Sequence, residues 1–498
     1  MITKLYLQNF RSIKDKIELP LSPLTVFAGA NSSGKSTVLK ALLLISQTFR
    51  HRDKNCPILL NGPLVSLGSF DSIINSEKST TEIIFGFDIG ASHAYQVTTG
   101  SRYKNNTFFV KSGTYIFSLI EKDGSDKNKI EISKLSFRIL RGQDIWNFGF
   151  DGQYEDYWEA PQFEDEIYLD KKGSGYLSRR KIFDKTTELF IPLSIQSINH
   201  HFNRTDFEIT EADEKLTVPN LLGMDEAFRR GIRDNFIEKV LYIGPLREDP
   251  KPFYSISLAS SIEDIGIRGE NMPQIYDQNK DRYINFVSPK WFSDNAGSKI
   301  SAESKTLEEA LSEWMAYLGI GHGIKTVVTD YWGVIRVAMN LEKTKYRSIN
   351  HVGVGVSQVL PILILGLLSK EQSTLLFEQP ELHLHPKVQS KLADFFLSLT
   401  LMKKQVIIES HSEHIVNRLR LRMVQGLEVN GNTNFIADNT KIYFCEKKNS
   451  VSKYSAVRID SFNCGNEWPE GFFDENETLV ERITKAAIKK RKNNSSNN

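Results

Sequence analysis

Residues 26–37 read Val-Phe-Ala-Gly-Ala-Asn-Ser-Ser-Gly-Lys-Ser-Thr and fit the phosphate-loop pattern G-x-x-x-x-G-K-[ST] from Gly29 through Gly34, Lys35 and Ser36. This stretch constrains the fold most, because such a loop needs a buried strand before it and a helix after it. Both are legible. Residues 24–28 are an apolar run, and residues 37–49 carry Val38, Leu39, Leu42, Leu43, Leu44, Ile45 and Phe49 almost all round a helix, which predicts burial. In that setting the glycines let backbone N–H groups curl round phosphate oxygens, and the helix points its positive end at the same charge. The candidate nucleotide contacts are therefore Gly29, Asn31, Ser32, Ser33, Gly34, Lys35, Ser36 and Thr37. Lys35 is placed to reach the β and γ phosphates, and Ser36 to offer its hydroxyl to Mg²⁺.

A chain of 498 residues predicts two or more structural units. The 63 basic and 61 acidic side chains leave a net charge of only +2, so any nucleic-acid surface must be a local patch. The longest strongly apolar run, residues 359–368, is about half of the roughly 20 residues a membrane helix needs. With no signal-peptide core at the N-terminus, the expectation is a cytoplasmic protein without a membrane partner. Cys56, Cys445 and Cys464 are widely spaced, which indicates neither a disulfide framework nor a zinc site.

The pattern changes along the chain. Residues 1–21 read as two short strands. Residues 51–76 are turn-rich and are expected to lie across the nucleotide side. Residues 82–89, 107–110, 115–120 and 130–140 alternate apolar and polar side chains between Gly, Asn and Asp, as antiparallel strands do. A helix is expected over 224–239, a strand over 240–243 and a helix over 307–317. From residue 346 to 445 apolar strands and helices alternate, the mark of a parallel α/β sheet.

Two strand ends in this later region complete the site. Residues 374–377 run into Glu378-Gln379-Pro380-Glu381, and an acid at the end of a strand near a phosphate loop can hold the Mg²⁺ water shell. Glu378 is that acid. Residues 405–408 run into Glu409-Ser410-His411-Ser412, where His411 is the candidate sensor of the γ phosphate. His383 and His385 lack the carboxylate or cysteine partners of a metal site.

The phosphate loop, residues 374–386 (TLLFEQPELHLHP) and residues 405–418 (QVIIESHSEHIVNR) resemble the ABC-type ATPase heads of the SMC, RecF and OLD-nuclease relatives. More narrowly, the chain is similar to bacterial AAA-family ATPases with a tail of the Trp468-Pro469-Glu470-Gly471-Phe472-Phe473 type. The resemblance implies an α/β fold: an ABC-type P-loop ATPase head with a mixed sheet, split by a partly β insertion subdomain. The expected division is residues 1–80 and 346–475 for the head, 81–345 for the insertion, and 476–498 for a helical, then disordered, basic tail. It also implies ATP and Mg²⁺ as cofactors, and a homodimer or higher oligomer in which two heads sandwich ATP. A signature segment then completes the opposite site, here Gly353, Gly355 and Ser357, with Gly353 where the family's serine usually stands. Relatives of this kind serve bacterial anti-phage systems with a nuclease or toxin partner in trans.

One departure bears on rate. The family's water-activating acid is replaced by Gln379, which can orient water but cannot take its proton as a carboxylate can. Slow turnover is expected, with Glu381 or Glu409 as alternative bases. The basic cluster Lys171, Lys172, Tyr176, Arg179, Arg180 and Lys181 can track a nucleic-acid backbone, although a solvated loop is the plainer reading. Residues 442–446 imitate the opening of an OLD-type nuclease domain, yet no Asp-x-Asp follows, so no nuclease activity is expected of this chain. The competing readings are a nucleotide-locked scaffold that does not hydrolyse ATP, a RecF-like DNA repair ATPase and, fitting least well, a transporter motor.

Overall fold

The computed structural model describes residues 1–50, 58–77, 81–90, 95–96, 107–108, 112–121, 130–141, 144–151, 155–159, 175–181, 196–202, 236, 239–255, 264–293, 300–329, 334–340, 346–426, 428–429 and 431–457. Cys56, Cys464, Lys171, Lys172, the tail motif at 468–473, the terminal basic run and nearly all of the helix expected over 224–239 lie outside them, as do the side chains of Tyr176, Arg179, Arg180 and Lys181.

The core is a six-stranded sheet in the order Val240–Ile243, Thr374–Glu378, Gln405–Ser410, Leu24–Gly29, Thr440–Lys448 and Val451–Val457. The first five strands are parallel, and the last closes an antiparallel hairpin, so the sheet is mixed. The fold is α/β, as expected from the alternating pattern. A parallel sheet must be covered on both faces, which is why its strands read as continuous apolar runs. Leu24, Val26, Leu375, Phe377, Val406 and Ile408 point into one core with the helices Leu307–Leu318, Val354–Leu368, Pro386–Leu401 and Glu413–Gln425. Phe27, Leu376, Ile407 and Tyr443 point the other way, into a core shared with the helix Lys35–Arg50. Each fully buried side chain of this size contributes about 1.5–3 kcal/mol.

That second core is closed by an antiparallel sheet in the order Glu155–Glu159, Asp144–Asp151, Ile130–Arg141, Ser112–Glu121, Ile83–Gly90, Ile2–Gln8 and Ile17–Pro20. The main-chain ladder between Ile2–Gln8 and Ile83–Gly90 places the boundary expected at residues 80 and 81 inside one sheet. Within the stretch 81–345, Val240–Ile243 is the edge strand of the core sheet, and Leu307–Leu318 packs in its core. Local signals explain that helix: Thr306 and Glu309 form a reciprocal capping box at its start, and Gly319, at φ 75°, ends it.

The turn-rich segment after the phosphate-loop helix is held in two places. Gln47 of that helix donates to the carbonyls of Leu59 and Val65 and accepts from the N–H groups of Leu64 and Val65. Gln47 is three helical turns beyond Lys35, about 18 Å along the axis. Residues 59–65 are thus fastened to the last turn of the helix, because the buried amide needs those partners, whereas Ile73 and Asn75 bond to the main chain of Asn9 and Arg11, next to Ser12, which is bonded to Thr37 at the phosphate end. On the opposite face, Asp394 is fully buried, accepting from Tyr317 Oη at 2.6 Å and paired with Arg418 at 2.8 Å and Arg422 at 2.7 Å. Among the described residues no helix is long and apolar enough to cross a membrane.

Candidate nucleotide site

The strand Leu24–Gly29 ends where the phosphate loop begins, and strand order decides what stands beside it. Gln405–Ser410 is its immediate neighbour, and Thr374–Glu378 comes next. Glu378 and Glu409 are paired residues at the same level of adjacent strands. With strands about 4.8 Å apart, the two carboxylates reach the same space past the sheet's carboxyl edge. The Ser36 hydroxyl donates to Glu409 Oε1 at 2.7 Å, while Glu378 Oε2 accepts from Tyr242 Oη at 2.6 Å. Of the two acids, Glu409 is thus the one bonded to the predicted magnesium ligand.

Lys35 is 2% exposed and folds back on its own loop, donating to the carbonyls of Gly29 at 3.0 Å and Ala30 at 2.6 Å and to Ser33 Oγ at 3.3 Å. Burial pushes its ammonium pKa down, and Glu409 opposes that. Burial likewise pushes the Glu409 carboxyl up to about 7, helped by Glu378 and opposed by Ser36 and Lys35. The loop's shape is set by Gly29 and Gly34, at φ 145° and 101°. A Cβ on Gly29 would fall 2.2 Å from the Cys445 carbonyl oxygen, and one on Gly34 would fall 2.1 Å from Ser452 Oγ. The hairpin after residue 440 is therefore the wall of the phosphate loop; Tyr454 Oη donates to the Gly34 carbonyl, and the Ser452 N–H donates to that of Ser12. Thr37 is bonded to Ser12 at 3.2 Å, while Asn31 and Ser32 are exposed at the loop's tip. Residues 442–446, which imitate the start of a nuclease domain, are part of this wall: Ile442 and Cys445 pair with Val26 and Gly29.

Gln379 follows Glu378 in the left-handed backbone region, at φ 45°. Its N–H donates to the Glu409 carbonyl at 2.8 Å. Arg247, 4% exposed, donates through Nη2 to the carbonyls of Glu378 at 3.2 Å and Gln379 at 3.1 Å. Glu381 is buried and accepts the His411 N–H at 2.5 Å, and burial raises its pKa. The His411 ring lies by the Gly29 carbonyl and Lys35; burial, then the Lys35 charge, lowers its pKa. Tyr242 and Arg247 are contributors that motif reading misses. The signal available for them is a third apolar strand, Val240–Ile243, ending at the same level as the other two. His385 has a local role: its Nδ1 accepts the Lys387 N–H at 3.2 Å and caps the helix Pro386–Leu401.

Gly353, Gly355 and Ser357 stand apart from this group. Gly353 is the N-cap of Val354–Leu368, a helix on the sheet face opposite to Lys35–Arg50, and Gly355 packs under the His383 carbonyl.

The residues fit the cofactors that the motif implies. Ser36, Glu378 and Glu409 offer hard oxygen donors of the kind Mg²⁺ takes, and Glu409 Oε2 is buried without a hydrogen-bond partner. Among the described residues no group of three or more acidic, histidine or cysteine side chains can hold a metal unaided, so phosphate oxygens must complete the shell.

Residues 1–416 match the family model of the AAA ATPase domain. The chain belongs to this family. A further model, of a protein of unknown function (DUF3696), matches residues 437–483 of this AAA ATPase, overlapping the loop-bracing hairpin. The OLD nuclease of Thermus scotoductus is 47% identical over 45 residues, 9% of this chain. The match spans only 8% of that protein's length. Among solved structures, the Smc head bound to the C-winged helix domain of ScpA aligns with 92% of this chain and 98% of its own at 12% identity and a TM-score of 0.39. The SMC head domain from Thermotoga maritima aligns with 92% and 99% at 9% identity and a TM-score of 0.34. At these scores the architecture rests on the AAA ATPase's own strand order.

Proposed function

We propose that this AAA ATPase binds MgATP between the phosphate loop and the Glu378–Glu409 pair, hydrolyses it slowly, and dimerises around it in the manner of an ABC-type head. The observation that carries the reading is the convergence of Lys35, Ser36, Glu378, Glu409 and His411 at one edge of the parallel sheet. Bound Mg²⁺ would neutralise charge on the β and γ phosphates. Of the chain's own groups, the loop N–H groups and Lys35 hold the phosphates, Ser36 and Glu378 hold the metal, and Gln379 orients water. Glu409 keeps the Ser36 hydroxyl turned to the metal, and His411 reads the γ phosphate. The segment Gly353, Gly355 and Ser357 serves the site of a second copy, an assignment supported by its attachment to the far face of the sheet from Lys35–Arg50.

The finer reading is a nucleotide-governed switch that holds or releases a nuclease or toxin acting on nucleic acid in anti-phage defence. Its support is the motif resemblance together with the short OLD nuclease match. The experiment is ATP turnover beside Lys35→Ala and Glu378→Ala, with and without DNA or RNA, while the assembly is sized in ATP. Turnover lost in both variants, with dimerisation in ATP, supports the reading; turnover equal to the variants overturns it. A scaffold that holds ATP without turning it over is the second reading, favoured by Gln379 at the water-activating position. A large rise in turnover on Gln379→Glu marks a chain built to retain ATP.

A further inference from the structure

Arg247 is a buried cation that no part of the sequence pattern assigns. Its Nη2 is shared between two main-chain carbonyls, and its Nε and Nη1 have no hydrogen-bond partner among the described residues. The carboxylate that most favours its charge is that of Glu381, whose Oε2 is likewise buried without a partner and whose Oε1 holds the His411 N–H. A buried guanidinium is retained only where something offsets its desolvation. Strand order bears on what that is. Arg247 follows the edge strand Val240–Ile243, three strands from the phosphate loop, about 14 Å at 4.8 Å per strand. Its bonded nitrogen faces the main chain of Glu378 and Gln379.

What it grips is strained. A non-glycine residue at φ 45° is sterically disfavoured and persists only where its surroundings over-determine it. Gln379 is fixed on one side by its N–H to Glu409 and on the other by its carbonyl, which accepts from Arg247 and from the Leu382 N–H. We propose that Arg247 is a positioning residue: it clamps the carbonyls of Glu378 and Gln379 so that the Gln379 amide faces the attacking water, governing the rate of hydrolysis and leaving nucleotide affinity untouched. Glu381 balances the clamp's charge and links it to the turn that carries His411. The proposal rests on the ATPase reading above and deepens it.

The test measures kcat and the Kd of a fluorescent ATP analogue for wild type, Arg247→Met, Arg247→Lys, Gln379→Ala and the double variant Arg247→Met/Gln379→Ala, with melting curves for each. The expected result is a loss of at least tenfold in kcat for Arg247→Met with Kd within threefold of wild type. Arg247→Lys, which keeps the charge, recovers part of the rate, and the double variant is no slower than Gln379→Ala because one residue acts through the other. If Arg247→Met does not fold, Arg247→Lys carries the test with an expected three- to tenfold loss. A tenfold weaker Kd, a double variant whose loss is the product of the two singles, or a rate unchanged in both Arg247 variants overturns the clamp alone. Wild-type turnover no greater than that of Lys35→Ala overturns the ATPase reading, and the clamp with it.

Discussion

Replacing Glu409 by Gln tests the site electrostatics without nucleotide, through stability. Glu409 is 2% exposed, bonded to Ser36 and beside Glu378. Burial, with Glu378 adding to it, raises its pKa from 4.5 to about 7. An acid whose folded pKa is raised costs stability once the unfolded chain ionises, so the penalty is absent below pH 4.5, grows through the interval, and is complete above pH 7. At 1.36 kcal/mol per pH unit it is about 3 kcal/mol at pH 8 and under about 1 kcal/mol at pH 5. Glutamine keeps an oxygen for the Ser36 hydroxyl and carries no charge. In EDTA, Glu409→Gln should therefore melt above wild type at pH 8. Its advantage over wild type should exceed that at pH 5 by about 2 kcal/mol, or about 4–8 °C for a unit of 150–250 residues. Melting curves of both proteins at the two pH values give this difference, and any effect independent of pH cancels. A gap of the same size at both pH values, or one larger at pH 5, would refute the reasoning, because ionised Glu409 would then be carrying no strain.

Asp394→Ala removes the acceptor shared by Tyr317, Arg418 and Arg422 and should cost about 3–5 kcal/mol in denaturant unfolding, since two cations are left without their buried partner; a change under about 1 kcal/mol would show that water replaces it. Gly34→Ala places a methyl at φ 101° and 2.1 Å from Ser452 Oγ, so calorimetry should show ATP affinity at least tenfold lower. Ser452→Ala should fail to rescue it, because the backbone strain remains; full rescue would mean that the side-chain clash alone sets the loop. Tyr242→Phe removes the 2.6 Å bond to Glu378 and should raise the Mg²⁺ concentration for half-maximal turnover about three- to tenfold; an unchanged requirement would place Glu378 outside the metal shell.

What the sequence discloses and what it conceals follow one physical division. Strands such as residues 374–377 and 405–408 are legible because a parallel strand buried on both faces must be continuously apolar, and their polar ends are legible because the apolar run stops. The phosphate loop is legible because its glycines answer to local backbone geometry. The pairing across residue 80 is not legible, because a change of periodicity marks a change of element and carries no information on which distant strand an element pairs with; Ile2–Gln8 reaches across to Ile83–Gly90. The lateral partners are hidden for that reason too. Tyr242 meets Glu378 only once the edge strand has taken its register beside residues 374–377, and Ser452 walls the phosphate loop only once the last hairpin has joined the sheet. Glu409 shows the consequence most sharply. As a residue type at a strand end it is indistinguishable from Glu378, and the motif order favours Glu378 for the metal. Strand order puts Glu409 next to the phosphate loop and Glu378 one strand further, so Ser36 bonds to the nearer acid, and Glu378 is held from the edge strand by Tyr242. The two carboxylates thus acquire different partners from sheet position alone: Glu409 holds the Ser36 hydroxyl, while Glu378 gives one oxygen to Tyr242, which leaves the other for the metal shell proposed above.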